Sequence, residues 1–144
     1  MSDIVYFDTS ALAKWYLNEA KSDEVEKYIQ RHGPVHISDL TIIEMRSLLA
    51  RHRREKNISA ALETQIFAAF QEDLRERSLI CHPLHATFVE ATVNVLSLLP
   101  EVPLRALDAL HLAIVREILA GIVATADRVM ALGAEALGFS VVKF

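Results

Sequence analysis

Four acidic residues that are far apart in the sequence lie where apolar runs end or where helical patterns begin. Asp8 ends the first apolar run and Asp127 directly follows another, while Glu44 and Asp108 lie in the first turns of two predicted helices. Carboxylate oxygens are ligands that Mg²⁺ and Mn²⁺ prefer in proteins. If these four side chains meet in space, the chemistry that they support is the binding of a divalent cation.

Each of the four acids also has a purely structural explanation. Asp8 and Asp127 suit the N-cap position, where a carboxylate accepts backbone N–H hydrogen bonds. Thr41 and Glu44 have the spacing of a capping box, and Asp108 suits the positive end of a helix dipole. For any one of the acids alone the structural explanation is the stronger, so a site is predicted only if the four converge.

Five short β-rich runs alternate with helical patterns along the chain. The predicted strands are residues 4–8, 35–38, 79–81, 122–126 and 140–144. The predicted helices are residues 10–17, 21–31, 40–56, 59–77, 88–99, 104–119 and 127–137, the last closed by Gly138. Strands that alternate with helices predict an α/β fold in which a parallel five-stranded sheet is flanked by helices.

The predicted sheet gives the four acids a reason to meet. In an open parallel sheet, ligands bind at the carboxyl ends of the strands, where the order of the strands reverses. Asp8 and Asp127 are predicted at such ends, and the helix starts that carry Glu44 and Asp108 can face the same edge. Four carboxylates there would repel one another and raise their own pKa values, which does not help folding unless a cation is present. The pattern therefore predicts a divalent-metal site, with helix capping as a second role.

The composition bounds the class of protein. Of the 144 residues, 52% are hydrophobic and 24% are charged, which suits one domain spanning residues 1–144 with a substantial core. The net charge of −4 excludes a strongly basic nucleic-acid binder but not a nucleic-acid enzyme, because a carboxylate site is acidic until its metal binds. The single Cys81 excludes an internal disulfide and a multi-cysteine zinc site. No run approaches the roughly 20 apolar residues of a membrane span, and we expect a cytoplasmic location.

Several motifs together resemble one known family. They are Phe7-Asp8-Thr9-Ser10-Ala11-Leu12, Glu44 at a strand–helix junction, Arg105-Ala106-Leu107-Asp108-Ala109-Leu110-His111-Leu112-Ala113, and Thr125-Ala126-Asp127. With these motifs the chain resembles the PIN-domain ribonucleases, and more narrowly a VapC-type toxin of a toxin–antitoxin pair. The resemblance extends over nearly the whole chain and implies a parallel five-stranded sheet between helices.

The resemblance also implies an activity, which is metal-dependent endonucleolytic cleavage of RNA that leaves a 5′-phosphate and a 3′-hydroxyl. The catalytic acids that match the family's quartet are Asp8, Glu44, Asp108 and Asp127. Asp8 and Asp108 would contact Mg²⁺ or Mn²⁺ directly, and Asp127 and Glu44 would complete its coordination, in part through water. The candidates for a supporting hydroxyl group are Thr9, Ser10 and Thr125. The partners that the resemblance implies are the RNA substrate, a VapB-like antitoxin and a second copy of the chain in a homodimer.

A basic run offers contacts to RNA phosphates. Its cations are Arg46, Arg51, Arg53, Arg54 and Lys56, opposed only by Glu55. We predict weak RNA binding by Arg46, Arg51 and Arg54, since Arg51 follows Glu44 by seven residues and lies on nearly the same helix face. The alternative is an ordinary solvated helix end whose cations favour the C-terminal dipole.

Three other features are expected to be structural. His111 follows Asp108 by three residues, and a hydrogen-bonded structural histidine is a simpler interpretation than a proton-transfer role. His82 and His85 flank a proline and have no third ligand nearby, which is poor spacing for a metal pair. The Leu62, Ile66, Phe70 and Leu74 stripe of the fourth predicted helix is expected first of all to face the core, and some of it could form an outer apolar face.

Two other functions remain as alternatives. A haloacid-dehalogenase-like phosphatase also places an Asp and a Thr after its first strand, but it needs a second Asp where this chain has Ser10. The other alternative is a catalytically inactive α/β module that only binds RNA or a partner, and the intact acidic quartet disfavours it.

Overall fold

The computed structural model describes residues 3–144, in which five strands alternate with seven helices. The strands are β1 (Val5–Phe7), β2 (Val35–Ser38), β3 (Leu79–His82), β4 (Ile122–Thr125) and β5 (Ser140–Lys143). The helices are α1 (Thr9–Tyr16), α2 (Ser22–His32), α3 (Asp39–Arg54), α4 (Ala60–Arg75), α5 (Phe88–Leu98), α6 (Ala106–Glu117) and α7 (Arg128–Ala136). All the predicted elements are present, with ends that differ by one or two residues at most.

All five strands join one parallel sheet in the order β3-β2-β1-β4-β5, which confirms the predicted α/β fold. The chain runs outward from β1 through β2 to β3, then crosses to β4 and β5 on the other side of β1. The strand order therefore reverses between β1 and β4. The backbone N–H of Asp8 continues this pairing by donating to the carbonyl of Ala124 at 3.1 Å, which fixes Asp8 at the switch point.

Two apolar layers cover the sheet, one on each face. Val5 and Phe7 of β1 pack in the layer that contains α1–α4, and Tyr6 packs in the layer that contains α5–α7. Phe7 and Tyr6 have no exposed surface. Because fully burying one such side chain stabilises the fold by about 1.5–3 kcal/mol, β1 is held from both faces and gives the site a rigid base.

Local sequence explains several helix ends. Gly138 follows α7 with φ of +93°, a left-handed conformation that suits glycine and ends the helix as predicted. The apolar stripe of α4 divides between core and surface as expected, because Ile66 and Phe70 are buried whereas Leu62 is 40% exposed. No helix within residues 3–144 is both long enough and apolar enough to cross a bilayer.

Candidate active site

A hollow of about 570 Å³ lies at the edge of the sheet where the strand order reverses. Its lining includes all four predicted acids, Asp8, Glu44, Asp108 and Asp127. Asp8 follows β1, Glu44 lies on α3, Asp108 lies in the first turn of α6, and Asp127 lies between β4 and α7. The structure thus brings together acids that are separated by up to 119 positions (127 − 8) in the sequence.

Asp8 is buried at the base of the hollow and caps α1. Its Oδ1 atom accepts the Ala11 N–H at 3.0 Å and the Ser10 hydroxyl at 2.7 Å. The Thr125 hydroxyl donates to the other carboxylate oxygen, Oδ2. Burial raises the pKa of Asp8 even though these three donors act to lower it. An ionised Asp8 is therefore held in place but lacks a full counter-charge.

Asp127 caps α7 in the same way, so both predicted N-caps are confirmed. Its Oδ1 atom accepts the Met130 N–H at 2.9 Å, and its own N–H donates to the Thr125 hydroxyl oxygen at 2.9 Å. Thr125 therefore connects Asp8 to Asp127. The second carboxylate oxygen of Asp127 faces Arg105, so capping leaves it available to the hollow.

Glu44 does not take part in the predicted capping box with Thr41, and that prediction was wrong. The helix begins one residue earlier than predicted, and the Ser38 N–H donates to the Thr41 hydroxyl at 3.2 Å. Glu44 lies beyond the first turn, where its Oε1 atom accepts the Thr9 hydroxyl at 2.8 Å and pairs with His111 Nε2. Glu44 therefore lines the hollow and does not cap the helix.

His111 is 3% exposed and supports Glu44 from beneath, as a hydrogen-bonded structural histidine. Its Nδ1 atom lies 2.7 Å from the Tyr6 hydroxyl, which in turn lies 2.9 Å from the Ser38 hydroxyl. Burial acts to raise the pKa of Glu44, but the hydrogen bond and charge of His111, with the bond from Thr9, outweigh it and hold the pKa below its usual range. The expectation that all four acids have raised pKa values is therefore wrong for Glu44.

Asp108 is the acid whose environment shows the expected repulsion. Burial raises its pKa, the Arg105 backbone N–H acts to lower it, and the negative charge of Asp127 raises it further. That N–H donates to Asp108 Oδ2 at 3.4 Å, so the carboxylate of Asp108 also provides an acceptor for a backbone N–H group at the start of α6. Asp127 thus disfavours the ionisation of Asp108, and a cation placed between these two side chains would be stabilised.

The donor atoms in the hollow fit a hard divalent ion by type. Within residues 3–144, neither Glu44 Oε2 nor Asp108 Oδ1 accepts a hydrogen bond from the protein. The available donors are carboxylate and hydroxyl oxygens, which suit Mg²⁺ or Mn²⁺ better than soft metals. The described residues contain no preformed group of three ligands, so the carboxylates would have to draw closer around an ion.

The basic run divides into different environments. Arg51 lines the hollow, as its spacing from Glu44 suggested. Arg46 and Arg53 instead pair with the buried carboxylate of Glu63 on α4, at 3.1 and 2.9 Å. Arg54 is exposed and is not part of the lining of the hollow. Arg46 therefore holds α3 against α4, and the hollow adds no support for Arg54, so RNA contacts by Arg46 and Arg54 stay predictions.

Sequence reasoning missed two further contacts. The Arg105 guanidinium lies near both Asp108 and Asp127, and its i, i+3 spacing from Asp108 was an available signal. His82 does not pair with His85; its Nε2 atom lies 2.8 Å from Nδ1 of His36 on the neighbouring strand. Sequence spacing gave no sign of this cross-strand pair.

In a comparison with protein families, the PIN domain model matches residues 5–135. The aligned region covers most of the chain and contains all four acids of the hollow. This chain belongs to the PIN domain family. The match confirms the resemblance that the Phe7–Leu12 and Arg105–Ala113 motifs indicated. No curated protein matches this PIN domain significantly.

Three solved structures with the same fold are similar to this chain, and one of them is described as a toxin. Mycobacterium tuberculosis VapC20, described as a toxin that cleaves the sarcin–ricin loop, is 18% identical with a TM-score of 0.72, covering 97% of this chain and 99% of VapC20. PAE2754 from Pyrobaculum aerophilum is 20% identical with a TM-score of 0.64, covering 96% and 82% of the two chains. A chain from the structure of FitAB bound to a DNA fragment is 16% identical with a TM-score of 0.59, covering 97% and 94%. At these identities the likeness shows the fold alone.

Proposed function

We propose that this PIN domain is a divalent-metal-dependent endoribonuclease and the toxin of a toxin–antitoxin pair. The observation that carries the proposal is the convergence of Asp8, Glu44, Asp108 and Asp127 on one hollow at the switch point of the sheet. Neighbouring hydroxyl and imidazole groups hold these acids in place, although packing alone gives a fold no reason to gather them. Family membership supplies the nuclease class, and the VapC20 and FitAB likenesses support the toxin role.

The acids have distinct roles in the proposed reaction. Asp8 and Asp108 would hold Mg²⁺ or Mn²⁺ directly, while Glu44 and Asp127 would hold it directly or through water. A bound ion would lower the pKa of a water and neutralise charge on the phosphoryl oxygens. The pKa of Glu44 is held below its usual range by His111 and Thr9, so the carboxylate is ionised at neutral pH and its Oε2 atom could accept the proton of the attacking water.

The supporting hydroxyl groups keep these carboxylates in position. Thr125 and Ser10 donate to Asp8, and Thr9 donates to Glu44. Hydroxyl groups that hold a ligand in one orientation strengthen metal binding without touching the metal. All three residues predicted for this role thus have the contacts that it requires.

Arg51 is the cation of the basic run that suits an RNA contact. It lines the hollow, is exposed and has no acidic partner in the described part of the chain. A guanidinium there would neutralise a phosphate next to the cleaved bond and orient the strand. The Arg51→Gln variant should therefore bind RNA with a weaker dependence on salt concentration.

The partners follow from the toxin role. We expect a VapB-like antitoxin to inhibit the nuclease, and we expect a homodimer. The outer face of α5 exposes the apolar side chains of Val89, Val93 and Leu96, which leaves surface for protein contacts. Light scattering of the purified chain, with and without a co-expressed antitoxin, would measure both assemblies.

Neither alternative function gains support from a specific contact. The phosphatase would need an acid at the position of Ser10, where a hydroxyl donates to Asp8 instead. An inactive binding module would not need a carboxyl group buried at the position of Asp8. Release of phosphate from a small phosphoester would favour the phosphatase, and metal binding without RNA cleavage would favour the inactive module.

Cleavage of a defined single-stranded RNA by the Asp8→Asn variant tests the proposal. Asparagine keeps the size of the side chain and one acceptor oxygen, so we expect a folded protein whose cleavage rate in Mg²⁺ falls by about 100-fold or more. Asp23→Asn, an exposed acid in the first turn of α2, is the matched control and should cleave at the parent rate. Cleavage by Asp8→Asn at the parent rate, or undiminished cleavage by the parent in EDTA, would refute the assignment.

A further inference from the structure

The Arg105 side chain lies across two of the acids at the mouth of the hollow. Its Nε atom is 3.7 Å from Asp108 Oδ2, and its Nη2 atom is 3.6 Å from Asp127 Oδ2. Asp108 is on α6 and Asp127 is at the start of α7, so one guanidinium joins acids from two different elements. It occupies the kind of position that a cation would take between them.

The contact is loose, which allows Arg105 to leave. The side chain is 82% exposed, and both distances exceed the roughly 2.7–2.9 Å of a tight charge-assisted hydrogen bond. Within residues 3–144, its guanidinium has no other polar partner. Exposed ion pairs of this kind are weak, so a competing divalent ion can displace the side chain at little cost.

The guanidinium also suits the substrate. Arginine presents a planar set of donors that matches a phosphate, and it stays charged at any pH relevant to the reaction. Once the acids are neutralised by an ion, the charge of Arg105 has no local partner in the hollow except an incoming anion. The RNA backbone brings such an anion to the same opening, next to Arg51.

We propose that Arg105 is a positioning residue with two alternative partners. In the metal-free protein its guanidinium bridges Asp108 and Asp127; when a divalent ion binds, it leaves the acids and contacts an RNA phosphate beside the cleaved bond. This inference rests on the proposed ribonuclease function. It makes metal binding and RNA binding cooperative through one side chain.

Calorimetric titration of Mn²⁺ into the whole chain without RNA tests the first half of the proposal. Arg105→Gln removes the competing charge and should tighten Mn²⁺ binding by about two- to five-fold, the range that exposed ion pairs produce. Arg105→Lys keeps the charge, and its affinity for Mn²⁺ should lie between those of Arg105→Gln and the parent protein. Arg116→Gln, an exposed arginine elsewhere on α6, is the matched control and should leave the affinity unchanged.

Steady-state cleavage of a short single-stranded RNA tests the second half. Arg105→Gln should raise KM by about three- to ten-fold with a smaller change in kcat, because a phosphate contact is lost. If Arg105→Gln binds Mn²⁺ with unchanged or weaker affinity while Asp8→Asn still weakens Mn²⁺ binding, the proposed role of Arg105 is overturned. The metal site itself would then remain supported. If the parent protein binds no Mn²⁺, the metal site itself is wrong, and this inference is overturned with it.

Discussion

Replacement of His111 by leucine should destabilise the protein through two lost hydrogen bonds at one buried position. Leucine fills a similar volume, so the main loss is polar. The bond to the Glu44 carboxylate is charge-assisted and is worth about 2 kcal/mol, and the bond to Tyr6 is worth about 1 kcal/mol. Tyr6 keeps its contact with Ser38, which limits its share of the loss. The expected total is about 3 kcal/mol, or a fall in Tm of about 10 °C for a chain of this length.

Urea unfolding at pH 7 measures this loss directly. His85→Leu is the matched control, because His85 is exposed and the same substitution there should change the unfolding free energy by less than about 0.5 kcal/mol. If His111→Leu unfolds at the same urea concentration as the parent protein, the contacts of His111 do not support Glu44 as described here. A loss of unfolding free energy no larger than that of His85→Leu would contradict this role of His111 in the same way.

The loss of unfolding free energy in His111→Leu should also depend on pH. Burial acts to raise the pKa of Glu44, but His111 outweighs it and lowers the pKa in the folded state. Ionised Glu44 therefore stabilises the fold above its ordinary pKa, and that contribution is lost as the pH falls through the folded-state pKa. The difference in unfolding free energy between the parent and His111→Leu should shrink between about pH 5 and about pH 3.

Three further substitutions separate function from stability. Because burial raises the pKa of Asp8, its charge destabilises the metal-free fold at pH 7, so Asp8→Asn should raise Tm in EDTA by a few degrees; a lower Tm would count against this. Glu63→Gln should lower the free energy of unfolding in urea by about 1–2 kcal/mol, because it weakens the pairs with Arg46 and Arg53, and it should leave KM for RNA unchanged. A raised KM would show that these two arginines contribute to RNA binding. Thr125→Val should weaken Mn²⁺ binding by about 10- to 100-fold in calorimetry, and unchanged affinity would show that its bond to Asp8 is not needed.

The fold could be predicted because its signals are local. Apolar runs such as β1 and β4, covered on both faces, and helical spacing between them specify a parallel α/β sheet. The topology then places Asp8 and Asp127 at one edge without any knowledge of side-chain contacts. Their capping roles could also be predicted, since a cap depends on residues only three positions away.

Contacts between elements could not be predicted from the sequence. Arg46 pairs with Glu63 from another helix, and Glu44 bonds to Thr9 and His111, so neither partner is visible in local spacing. The sequence did contain one signal for the burial of Glu63. This residue lies seven positions before Phe70 and therefore shares the core-facing side of α4 with it. A buried acid of that kind requires a cation from a neighbouring helix.

The most direct test of the account is anomalous X-ray scattering from crystals of the protein soaked in Mn²⁺. The account predicts a peak in the hollow within coordination distance of Asp8 and Asp108, with Glu44 and Asp127 around it. An active nuclease whose crystals show no peak in that hollow at saturating Mn²⁺, or show one only elsewhere, would contradict it.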